Sequence, residues 1–174
     1  MENERFYKTN KETFNIHGSA VLVKTDRGTL LFHLKDSGAP SGDADAVSTF
    51  GGGRELHTHP SGRDFTSREL THDAALREIQ EELSIPATYI TSLKPFGYQS
   101  FNYPDNPDKG FSVHIAELAP GITSDDMALT EGAGIIEGTL EEMLARPDLF
   151  GPIREMLERN SGQIEKWLFT PEQK

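Results

Sequence analysis

Hydrophobic and polar positions alternate most clearly in "GSAVLVKTDRGTLLFHLKD", where two apolar runs flank Thr25-Asp26-Arg27-Gly28. Two such runs around a short Gly-containing polar break predict a β-hairpin. The loop composition of "SGAPSGDADA" follows, and then a short apolar approach, "AVSTF", enters Gly51-Gly52-Gly53. Thr66 and Glu69 have the spacing of a capping box, which predicts a helix opening at Thr66 and stopping at Pro86. Strands are predicted in "YITSLKPFGYQSF" and "FSVHIAEL", joined by the turn-rich "NYPDNPDKG", and helices in "TLEEMLARPD" and "PIREMLERN". Strands, one helix, more strands and terminal helices together predict an α/β (α+β) chain with a mixed sheet packed between helices. Residues 1–16 are polar and read as an N-terminal arm, leaving 17–174 as one domain.

The helix holds the densest pattern. On a wheel of about 100° per residue, Leu76, Ile79 and Leu83 fall within about 60° of one another and form the expected core face. Glu78, Glu81 and Glu82 fall within about 100° of one another, roughly 140° from that stripe. Arg77, four residues before Glu81, is placed to hold a carboxylate rotamer. Like charges at this spacing repel, so either solvent or a cation compensates them. Hard cations such as Mg2+ need oxygen ligands converging from several carboxylates, which such a helix face supplies.

Composition narrows the choices. The 174 residues, 35% hydrophobic and 26% charged, suit one globular domain. A net charge of −11 argues against a nucleic-acid binder, which normally shows a basic face. An acidic chain still takes a phosphorylated small molecule when divalent cations lie between the two sets of charge. No stretch is long and apolar enough to span a membrane, and the charged start "MENERFYKTNKETFN" lacks a secretory core, so a cytoplasmic chain without membrane partners is expected. The absence of cysteine excludes disulfides, thiolate nucleophiles and Cys-based zinc sites.

"REIQEELSI" resembles the core of the Nudix hydrolase signature, in which Gly, five residues, Glu and seven residues lead to Arg-Glu-apolar-any-Glu-Glu-any-Gly-apolar. Arg77, Glu78, Ile79, Glu81, Glu82 and Ile85 match, and Glu69 stands at the required gap. "STFGGG" looks like the strand and glycine turn before that helix, and "ALTEGAGIIEGTLEEML" resembles the loop, strand and helix that close the fold. Ser84 replaces the signature's Gly, where a left-handed residue ends the helix. Fifteen residues instead of five separate Gly53 from Glu69, so "LHTHPSGRDF" reads as an insertion.

The resemblance implies a Nudix-type α/β/α sandwich and metal-dependent hydrolysis of a diphosphate bond in a nucleoside diphosphate linked to another group. It implies Mg2+ or Mn2+ on Glu78, Glu81 and Glu82, with a backbone carbonyl at Gly52 or Gly53 as a further ligand. Glu78 and Glu131, the latter in "TEGAG", are the candidate general bases, Arg77 orients the glutamates, and Glu69 braces the helix start. Arg54 and Tyr103 are candidate substrate contacts, although "FGYQSFNY" equally suits an aromatic strand on the core. Family members often form homodimers, and Trp167 and Leu168 are open to either an interface or the core.

A rival motif lies in the insertion. His57-Thr58-His59-Pro60, followed by Ser67, resembles the zinc segment of JAMM/MPN-type metalloproteases. Leu70 stands where that motif needs Asp, and an apolar side chain cannot coordinate zinc. His57 and His59 remain candidates for exposed loop residues, substrate contacts or a secondary metal site. A third reading is a Nudix-like module that only binds a nucleotide.

Overall fold

The computed structural model describes residues 16–39, 44–58, 66–100 and 110–169. The first apolar run forms β1 (Ile16–Lys24), which turns back into β2 (Leu30–Leu34). The turn is the hairpin expected. Thr25 N–H donates to the Thr29 carbonyl at 3.0 Å, and Gly28 N–H to the Thr25 carbonyl at 3.1 Å. β3 (Val47–Ser48) and β4 (Phe50–Gly53) precede a two-stranded ribbon, β5 (Leu56–Thr58) and β6 (Thr66–Arg68). Helix α1 (Thr71–Leu83) then leads to β7 (Ile90–Ser100), β8 (Gly110–Leu118) and β9 (Gly134–Gly138). The described chain ends in α2 (Leu140–Ala145), α3 (Gly151–Arg159) and α4 (Ser161–Phe169).

The mixed sheet is built on β1, antiparallel to β2 and β4 along one edge and parallel to β8 along the other. β3 and β9 pair with β2, and β7 pairs with β8. Successive strand residues face opposite sides, so β1 needs apolar cover on both. Ala20 and Leu22 pack with Phe32, Ile153, Leu157 and Ile164 under α2, α3 and α4. Val21 and Val23 pack with Leu31, Phe50, Ile79 and Leu83 under α1. Three layers, α/β/α, result, as expected. Among the described residues no helix is long and apolar enough to cross a membrane.

Four details differ from expectation. The run from Thr66 does not open the helix: it pairs with β5 (Leu56↔Arg68, His57↔Ser67, Thr58↔Thr66), and α1 starts at Thr71 after an extended Leu70 that makes no side-chain cap bond. A cross-strand partner outweighs the local capping pattern. The buried stripe of α1 is Ala74, Ala75, Ile79, Glu82 and Leu83, with Leu76 only half-buried. Two small alanines let the helix lie close to the sheet and turn Glu82 inward. Ile16, read as the last residue of the arm, opens β1, while residues 1–15 lie outside the described chain. α4 is an additional helix, on which Leu168 joins the core and Trp167 packs against it, its Nε1–H donating to Glu117 Oε1 at 2.7 Å.

α1 ends as the signature requires. Ser84 adopts the left-handed φ of 49° and ψ of 41°, a conformation that strains a side chain by about 1 kcal/mol. The segment before β9 closes the helix end. Ala128 N–H donates to the Leu83 carbonyl at 3.1 Å, Thr130 N–H to that of Glu82 at 3.0 Å, and Thr130 Oγ1 to that of Glu81 at 2.6 Å.

His114 on β8 is fully buried, its ring 6.3 Å from that of His72 at the start of α1. Burial, and then the charge of His72, push His114 down to about 4. Between pH 6.5 and 4 the unfolded chain therefore binds a proton that the native ring refuses. Stability contributed by the neutral ring is present above pH 6.5 and falls as pH drops, by about 3 kcal/mol in all. In urea unfolding followed from pH 7 to 4, His114→Gln is expected to flatten this decline. An unchanged slope would contradict the assignment.

Candidate active site

The last two turns of α1 carry Glu78, Glu81 and Glu82 at the helix end where the backbone dipole is already negative, and no basic residue stands in the last turn. Two separate cationic side chains hold these carboxylates.

Arg77 organises the outer group, with all five N–H donors engaged. Nε donates to Glu69 Oε1 at 3.0 Å and Nη2 to Glu69 Oε2 at 2.8 Å, a bidentate pair. Nη1 donates to Glu78 Oε1 at 2.8 Å and Glu81 Oε2 at 3.1 Å, and Nη2 also to the Gly53 carbonyl at 2.9 Å. The bonds to Glu69, against the cost of burial, and then those to Glu78 raise the guanidinium pKa further. Glu69 also accepts from Glu55 N–H at 3.1 Å, tying the ribbon to the helix start. Glu78 packs on β4 at Gly52, where a Cβ would lie 2.6 Å from both carboxylate oxygens and would push the carboxylate from its place beside Arg77. Burial pushes the Glu78 carboxyl above the usual range. Arg77 opposes this, and the charges of Glu82 and Glu81 add to it.

Glu82 belongs to an inner group and is only 2% exposed. Gly51 N–H, on a residue with φ of 129°, donates to Glu82 Oε2 at 2.8 Å. Lys35 Nζ lies 3.3 Å from Glu82 Oε1, and His33 Nδ1 faces the same oxygen at 3.2 Å. Burial pushes this carboxyl up, but the His33 ring, the Lys35 ammonium and the Gly51 N–H outweigh it and hold Glu82 below the usual carboxylate range. The His33 ring stacks on Phe50, with centroids 5.7 Å apart, and its Nε2 donates to the Glu131 carbonyl at 2.8 Å. That bond fixes the segment carrying the exposed Glu131 side chain, whose Oε1 lies 3.6 Å from Lys35 Nζ. One ligand atom each from His33, Glu82 and Glu131 falls within 4.8 Å of the others.

The structure thus brings Arg77, Glu78, Glu81, Glu82 and Glu131 to one locality. Five carboxylates, counting Glu69, face two cationic side chains, Arg77 and Lys35. An excess of hard oxygen donors suits Mg2+ or Mn2+. The Gly53 carbonyl, expected at the metal, accepts from Arg77. Arg54, expected at substrate, is buried, with Nε donating to the Glu69 carbonyl at 2.5 Å and Nη1 to that of Ile16 at 3.1 Å. His57 lies in β5 opposite Ser67, while His59 and Tyr103 lie outside the described residues. Asp73, one turn past Leu70, is exposed on α1. His33 and Lys35 escape a reading of the sequence. The available signal is period two: Leu31 and His33 share one side of β2, Lys35 follows at the same spacing just past the strand, and Leu31 packs under α1.

A three-layer α/β/α sandwich with a glutamate-rich helix against a glycine turn is the class that fold and site define. No family model matches the sequence, and no curated protein does. Among solved structures the chain is similar to a MutT protein from Methanosarcina mazei Go1, at 18% identity and a TM-score of 0.61, covering 85% of this chain and 94% of that one. It is similar to a mutT/nudix family protein from Listeria innocua at 21% identity and a TM-score of 0.60, covering 88% and 96%. It also resembles a C. elegans Ap4A hydrolase solved as a binary complex, at 16% identity and a TM-score of 0.57, covering 84% and 97%. The chain has the Nudix fold.

Arg77→Lys keeps the charge but reduces five donors in a fixed fork to three on a flexible stem. It is expected to cost about 1–3 kcal/mol of stability in urea unfolding with EDTA present. An unchanged midpoint would show that the outer network is dispensable.

Proposed function

We propose that the protein hydrolyses a diphosphate bond in a nucleoside diphosphate joined to a second group, using Mg2+ or Mn2+ held by Glu78, Glu81 and Glu82. The observation that carries this reading is the excess of carboxylates on the last turns of α1, set on a Nudix fold. A bound divalent ion supplies neutralisation of phosphate charge and a lowered pKa for attacking water. The chain's own residues do the positioning. Arg77 fixes Glu78 and Glu81 relative to each other and to the glycine turn. His33 and Gly51 fix Glu82, and the Thr130 bonds bring Glu131 beside it.

Proton removal from water needs a carboxylate of raised basicity. Burial gives Glu78 that property, and Glu131 is the second candidate by its position at the rim. Arg77, already charged and fully bonded, orients rather than reacts. The substrate panel includes dinucleoside polyphosphates, because one of the similar structures is an Ap4A hydrolase. The zinc-protease reading lacks its third ligand, since the extended Leu70 occupies that position.

The test is phosphate release, coupled to a phosphatase, from nucleoside diphosphate derivatives with Mg2+. Glu81→Gln is the cleanest variant, because Glu81 is exposed whereas Glu82 is embedded in the core. Release by the unmodified protein that requires Mg2+ and falls about 10- to 100-fold or more in Glu81→Gln is expected. No release from any compound, with zinc bound stoichiometrically through His57 and His59, would overturn the reading in favour of the metalloprotease.

A further inference from the structure

Lys35 follows directly after β2 and sends its ammonium between Glu82 and Glu131. Nζ lies 3.3 Å from Glu82 Oε1 and 3.6 Å from Glu131 Oε1, and the side chain is 18% exposed. A divalent ion held by the same two carboxylates would meet the like charge of the ammonium at close range, so ion and ammonium compete for them.

We propose that Lys35 is a tethered cation holding one of the cation positions of the site, neutralising Glu82 and Glu131 until a divalent ion displaces it and thereby setting the affinity of the site for that ion. The proposal deepens the functional reading and rests on its assignment of Glu82 to the metal. A buried carboxylate without a counter-charge is costly, so Glu82 requires one whenever metal is absent. His33 is fully buried and held between Phe50 and the Glu131 carbonyl, and Gly51 is backbone, so neither can withdraw. Lys35 is partly exposed on a flexible four-carbon stem. Both of its contacts are long for charge-assisted hydrogen bonds. Arg77 shows the opposite design, with five hydrogen bonds of 2.8 to 3.1 Å that engage every donor of its guanidinium. One cation of the site is built to stay and the other to move. Once displaced, the ammonium remains tethered at the rim beside Glu131, where an incoming polyphosphate brings negative charge.

The test measures Mn2+ binding to the full chain by loss of the free-ion electron paramagnetic resonance signal, with thermal melting in EDTA and in excess Mn2+. Lys35→Met and Lys35→Gln remove the charge, and Lys35→Arg retains it. Removal is expected to tighten Mn2+ binding about tenfold or more, to lower the melting temperature in EDTA, and to enlarge the gain on adding Mn2+. Lys35→Arg is expected to stay close to the unmodified protein. Unchanged Mn2+ affinity in both neutral variants, or weaker binding in both, would overturn the proposal, and so would no Mn2+ binding by any form. If one neutral variant fails to fold, the other decides between these outcomes. No turnover is required, so the two readings fail separately. An active enzyme with unchanged Mn2+ affinity in the variants loses only the role of Lys35, and tighter binding in an inactive protein loses only the proposed reaction.

Discussion

A carboxylate buried at the end of α1 is the constraint on which the rest of the site depends. Ionised and isolated, Glu82 could not remain there. It does so because Gly51 supplies a backbone N–H, β2 and the residue after it supply His33 and Lys35, and Glu82 is thereby held in its charged form. Each partner imposes something further on the fold. Gly51 takes a positive φ at which a Cβ would collide with the Ser19 carbonyl oxygen. His33 must reach through the layer between sheet and helix, and its other nitrogen fastens the segment that brings Glu131. The alanines at 74 and 75 let α1 approach closely enough for these contacts to form.

The outer group solves a different problem. Glu69, Glu78 and Glu81 come from the helix and from the residue pair before it, and a single guanidinium joins them to the glycine turn. This clamp lets a ribbon be inserted between β4 and α1 without displacing the helix. Glu69 holds both the ribbon, through Glu55 N–H, and the helix, through Arg77. The insertion is thus accommodated at a point the clamp already secures.

Legibility in the sequence follows the range of each interaction. The β1–β2 hairpin, the acidic face of α1 and the left-handed residue at 84 are readable because local periodicity and turn chemistry determine them. The start of α1 is not, because Thr66 and Glu69 satisfy a local capping pattern, whereas the β5 residue that pairs with Thr66 is Thr58, outside the window of that pattern. Leu76 reads as core because it is larger than Ala75, but helix rotation is decided by how closely the helix approaches the sheet. His33 and Lys35 are invisible as site residues because their partner Glu82 lies 49 and 47 residues away. Alternation along β2 fixes the side of His33 and, at the same spacing just past the strand, suggests that of Lys35, and nothing local shows that an acid waits opposite.

Anomalous diffraction at the manganese edge from crystals soaked in Mn2+ is the most direct measure of whether divalent ions complete this acidic site. The expected result is at least one peak within about 2.5 Å of carboxylate oxygens of Glu78, Glu81 or Glu82. A map with no peak on this face of α1, or with its only peak at His57 and His59, would contradict that claim.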